Sequence, residues 1–209
     1  MLKNLILCLL PLIAAASWEE VAVKGLDVVI SANVGDSENF KSSLSTLIER
    51  AASEYEREGI EDYELDLPGY LTQRAGKKSI AVQNMRRLAT QKLNPAIEPL
   101  KNLILTKIKE MPGADTKAIM SGEVLFSHYL RTNAFDEIYD ILLPFARALG
   151  SDAGFAKSYK NAVGKEIADD FGSEFSSAFI NESFDFLSKN EREFRKNSGA
   201  ILNAIKTVR

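Results

Sequence analysis

The chain carries one histidine, His128, and one cysteine, Cys8, so any chemistry it performs has to be built mainly from hydroxyls, amides and carboxylates. A zinc site wants about four Cys, His or acidic ligands, and this pair leaves almost no scope for one. His128 is the single candidate base. Its neighbour Ser127 points about 100° away on a helix, so the two do not form a nucleophile–base pair. A hydrolytic site would have to assemble in space from His128 with Ser121 or a distant acid. Gly76-Lys77-Lys78-Ser79 has the residue types of a phosphate loop, but the gap back to Gly69 is too long and Lys78 stands where the hydroxyl belongs. It reads as a solvated basic turn. Glu61, Asp62, Glu64 and Asp66 concentrate carboxylates, yet a calcium loop begun at Asp62 needs a glycine and a closing glutamate where the chain has Leu67 and Gln73. An acidic loop is the simpler reading. Asp169-Asp170 and the pair Glu191 and Glu193 read as solvated helix faces, because nothing sets them across a substrate. No catalytic residue, cofactor or metal ligand is therefore expected.

The elements that position these groups follow from composition and period. The chain has 209 residues, 45% hydrophobic and 26% charged, with 26 Lys+Arg against 29 Asp+Glu for a net charge of -3. That balance describes a globular protein rather than a disordered one, and it gives no reason to expect nucleic acid as a partner. Phe40, Leu44, Leu47, Ile48, Ala51, Ala52 and Tyr55 recur at helical steps and predict a helix over 37–58, capped by Asp36 or Ser37 and ended by Gly59. Val82, Met85, Leu88 and Ala89 predict the next over 79–93. Asn94-Pro95 opens another, carrying Ile97, Leu100, Ile104 and Ile108 and broken by Pro112-Gly113. A short helix over 115–120, one from Ser121 to Leu130 and one from Asn133 to Gly150 come next. Ser151 or Asp152 starts a helix through Ile167, and Ser173 starts one through Leu187, with Ser198-Gly199 separating a last short helix. The fold class is all-α, a single multi-helix domain. One segment is ambiguous: in 20–34 the alternation of Leu26, Val28, Ile30, Ala32 and Val34 fits a strand, whereas Val21, Ala22, Gly25, Val29 and Ala32 fit a helix. A lone strand would lack a pairing partner, which favours helix.

Met1–Ala16 reads as a secretory signal peptide, with Lys3 at its positive end, an apolar run from Leu5 and Ala14-Ala15-Ala16 at the cleavage site. Its twelve apolar-run residues to Ala16 fall short of the roughly 20 that span a bilayer. The expected mature chain is 17–209, exported to a periplasm, without a transmembrane segment and without Cys8.

Charge is unevenly spread. From Glu49 to Asp66 eight acids face two bases, net -6, while Leu67 to Ile97 holds Arg74, Lys77, Lys78, Arg86, Arg87 and Lys92 with no acid, net +6. Consecutive helices pairing these charges at their rims is the favoured reading. A basic surface for anionic lipid or another anionic partner is the competing one.

Ile108-Lys109-Glu110-Met111, Asp115, Ala118-Ile119-Met120 with Gly122, and Tyr129-Leu130-Arg131-Thr132 follow one another in an order that resembles a bacterial family, domain of unknown function 4197. Gly154-Phe155-Ala156-Lys157, Tyr159 and Gly164, and the pattern Phe184, Leu187, Glu191, Glu193, Phe194, Arg195 and Asn197, are similar to later motifs of that family, and the resemblance spans about 42–209. Lys160, Ser198 and Phe126-Ser127-His128 depart from it. The resemblance implies an exported, mainly helical protein with no established activity. Tyr129, Arg131, Thr132 and Tyr159 occupy polar positions of the resembling motifs and are the candidate binding residues, with helix cross-linking as their alternative role. The expected function is a non-enzymatic binding or interaction protein for an apolar ligand, an anionic lipid or an envelope protein. The alternative is a hydrolase built around His128.

Overall fold

The computed structural model describes residues 36–58, 65–77 and 79–207. The expected leader with Cys8, the ambiguous segment 20–34, Lys78 and the acidic positions 61–64 lie outside the described residues. Within them the chain is all-α, 82% helical and without a strand. The helices are α1 (Ser37–Glu58), the single turn α2 (Gly69–Thr72), α3 (Ile80–Leu93), α4 (Ile97–Glu110), α5 (Gly113–Ser121), α6 (Phe126–Gly150), α7 (Ala153–Val163) and α8 (Phe171–Thr207), with a 3-10 turn at Asn94–Ala96 joining α3 to α4.

Local side chains open three of the helices. Asp36 Oδ1 accepts from the Glu38 and Asn39 N–H groups at 3.2 and 3.0 Å and opens α1. Ser79 Oγ accepts from Val82 N–H at 3.3 Å to open α3, and Asp152 Oδ1 from Phe155 N–H at 3.0 Å to open α7. Each satisfies an amide that the helix itself leaves unpaired. Two expected breaks are absent. Residues 126–150 form one helix, not two divided at Asn133, because the Asn133 side-chain amide donates to Tyr129 O at 2.8 Å inside the helix. Ser121 closes α5 rather than opening α6, with its hydroxyl donating to Ala118 O at 3.0 Å. The last helix starts at Phe171, not Ser173, and continues through Ser198-Gly199 to Thr207. A glycine inside a helix costs only about 1 kcal/mol, which an extended helix absorbs.

α6 lies at the centre, against α8, α4, α3 and α7, while α1 covers α4 and α5. α6 and α8 run antiparallel: Ser127 meets Ser188 and Glu191, Arg131 meets Asn181 and Asp185, and Arg147 meets Gly172. At that last crossing the backbones nearly touch. A Cβ on Gly172 would stand 3.2 Å from Arg147 N and 3.3 Å from its Cα, so only a residue without one fits. Phe155, Tyr159, Phe171, Phe175 and Phe179 form a run of adjoining rings with centroids 5.4 to 6.5 Å apart, which joins α7 to the start of α8. No described helix is long and apolar enough to cross a membrane.

Candidate functional site

α3 and α7 also lie antiparallel. Lys92 pairs with Asp152 at 3.3 Å at one end, and Leu88 faces Gly154 one turn on. Toward the other end the two helices border an open groove of about 510 Å³. Ile80, Ala81 and Leu88 supply its apolar wall, and Asn84, Ser158 and Asn161 supply neutral polar groups. Ile80 is 77% exposed, the one large hydrophobic side chain so exposed among the described residues. Gly154 lies on the floor beside Leu88 Cδ1. Arg87 and Lys157 stand on the two walls, and no carboxylate lines the groove.

The other described cations of the basic stretch are engaged with the protein. Arg86 pairs with Asp66 at 3.0 Å, Lys77 with the same carboxylate at 3.9 Å, and Lys92 with Asp152. Arg74 Nη1 donates to Val163 O at 2.8 Å and so closes the C-terminus of α7, where Gly164 turns to φ 84°. Arg87 donates to the neutral Gln91 amide oxygen at 3.4 Å and has no carboxylate partner among the described residues. The Asp152 carboxyl is held below its usual range by the Phe155 N–H and by Lys92.

The four motif residues do not converge. Tyr129 is buried, stacks near Phe126 with centroids 6.4 Å apart and donates its hydroxyl to Lys107 O at 3.0 Å, tying α6 to α4. Burial, with Asp115 and Glu110 nearby, raises its phenol pKa. Arg131 donates to Asp185 Oδ1 and Asn181 Oδ1, each at 2.6 Å, tying α6 to α8. Thr132 is exposed, and Tyr159 is buried edge-on to Phe171 at 5.7 Å. Burial, then Glu174, raises the Tyr159 phenol pKa.

His128 is exposed and borders a second, smaller groove of about 400 Å³ with Arg131, Asp185, Ser188 and Arg192. Ser121 is not part of that lining, and Ser127 turns inward. Beneath it lies a feature the sequence reading missed. Glu191, expected on a solvated face, is only 5% exposed. Its carboxylate accepts from Phe126 N–H at 2.9 Å, Ser127 N–H at 3.1 Å and the Ser127 hydroxyl at 2.8 Å, capping α6 from another helix. Burial is affordable because the charge meets a helix N-terminus and three donors. Glu182 does the same for α2, accepting from Gly69 N–H at 3.0 and 2.9 Å. A local signal existed: Leu125 and Pro68 precede these helices and neither has a side chain that can cap.

Among the described residues no three His, Cys, Asp or Glu side chains are grouped so as to hold a metal ion. Of the groove residues, the sequence marks Arg87 alone as a candidate for binding, with Leu88 read as core and Gly154 and Lys157 only as parts of a resembling motif. The signal that pointed to the rest is that neither α3 nor α7 contains an acid. No family profile, no curated protein and no solved structure matches the chain.

Proposed function

We propose that the protein is a non-enzymatic binding protein that acts after export and holds an apolar ligand in the groove between α3 and α7. The observation that carries this reading is a concave space of about 510 Å³, within the roughly 300–1,000 Å³ of ligand sites, with Ile80, Ala81 and Leu88 open to it. The ordered resemblance of α4 to α8 to domain of unknown function 4197 belongs to the same proposal and bears on export and helical fold, not on mechanism. The hydrolase alternative has less support, because the Ser121 and Ser127 hydroxyls are both spent on hydrogen bonds away from His128. The test uses the neutral fluorophore N-phenylnaphthylamine. Saturable binding at one site, lost when Asn84→Trp fills the groove without altering the circular dichroism, is the expected result. Absence of saturable binding, or binding untouched by Asn84→Trp, overturns the reading.

A further inference from the structure

We propose that the ligand of the α3–α7 groove is a single-chain anionic amphiphile, its carboxylate or similar head held between Arg87 and Lys157. This inference rests on the groove reading above and adds the charge of its occupant. The argument is electrostatic complementarity. α3 and α7 together carry Arg86, Arg87, Lys92, Lys157 and Lys160 and no acid. Arg86, Lys92 and Lys160 are paired with Asp66, Asp152 and Glu166, carboxylates that come from outside the two helices. Arg87 and Lys157, the two cations on the groove walls, have no carboxylate partner among the described residues. Two cations bordering one apolar space, with Asn84 and Asn161 amides able to donate beside them, suit a head with negative charge and a chain without any. A planar bilayer cannot fill a concave groove, whereas one extended acyl chain lying along Ala81 and Leu88 can, with Ile80 covering its free side.

The test is titration calorimetry of the full chain with decanoate, decanol and decyltrimethylammonium below their micellar concentrations. The expected result is one site that prefers decanoate to decanol by more than tenfold and excludes the cation. Arg87→Gln and Lys157→Gln each reduce that preference by about fivefold, and the double variant by about 25-fold, as expected for exposed cations next to one charge. Equal affinity for decanoate and decanol overturns this inference and leaves the groove reading standing if N-phenylnaphthylamine still binds. Failure of every amphiphile and of the fluorophore sinks both. Co-sedimentation with phosphatidylglycerol vesicles without decanoate binding also overturns it, in favour of bilayer docking.

Discussion

Removing the Glu191 carboxylate isolates how α6 is started. In Glu191→Ala the Phe126 and Ser127 amides and the Ser127 hydroxyl lose their acceptor at 2.8 to 3.1 Å, in a place that water does not reach freely. A lost helix cap costs about 1 kcal/mol. Each buried donor left without an acceptor adds about 1–3 kcal/mol, although the Ser127 hydroxyl can rotate toward Ser188 Oγ, 3.2 Å away. The expected loss is about 3 kcal/mol, or a fall in Tm of about 6–12 °C for a chain of this size. Glu191→Gln keeps one acceptor oxygen and loses about half as much. Glu182→Ala, the same chemistry on an exposed carboxylate, loses no more than about 1 kcal/mol. Urea unfolding followed by circular dichroism at constant slope measures all three. The further variant Ser127→Ala in a double-mutant cycle with Glu191→Ala gives a coupling of about 0.5–3 kcal/mol. Equal losses at positions 182 and 191, or a coupling near zero, would refute the argument that burial sets the worth of the cap.

Gly164→Ala forces an alanine to φ 84° and sets its Cβ on the Arg74 guanidinium, so α7 loses its closing hydrogen bond; a loss of about 1–2 kcal/mol in thermal unfolding is expected. The Asp152 carboxyl has its pKa lowered by folding, so it contributes stability above the ordinary aspartate value of about 3.9 and gives it up as pH falls through the folded value. Asp152→Asn therefore flattens the acid limb of a stability–pH curve, and a curve unchanged by the substitution would contradict the pairing with Lys92 and Phe155 N–H. The Tyr70 hydroxyl is buried without a hydrogen-bond partner among the described residues, and burial, followed by Glu174, Tyr159, Glu182 and Asp170, raises its pKa. Tyr70→Phe is expected to leave stability at neutral pH unchanged or raise it by up to about 1 kcal/mol, and to remove part of the loss seen as pH climbs above about 10.

Much of this fold was legible along the chain because its causes are local. The starts of α1, α3 and α7 followed from Asp36, Ser79 and Asp152 together with apolar side chains at helical spacing, whereas α7 ends at Val163 instead of running to Ile167, because Gly164 turns left-handed. The misreadings came where a distant group decided the outcome. Ser121 and Asn133 resemble caps, but each bonds back into its own helix, and the acceptor that starts α6 arrives from Glu191 on α8. Ser198-Gly199 resembles a break, but one poor helix former does not end a helix of this length. The groove was half visible: the absence of acids from the basic stretch was plain, whereas the opposing Lys157 and Asn161 are brought there only by the antiparallel packing of α7 on α3.

Glu182 and Glu191 stand two and a half turns apart on α8, so they leave it on opposite sides, about 180° around its axis. One reaches down to the start of α2 and the other to the start of α6. A roll of α8 in either direction, or a slide by a single turn, uncouples both at once. That helix is thus keyed in rotation and in translation by two charges.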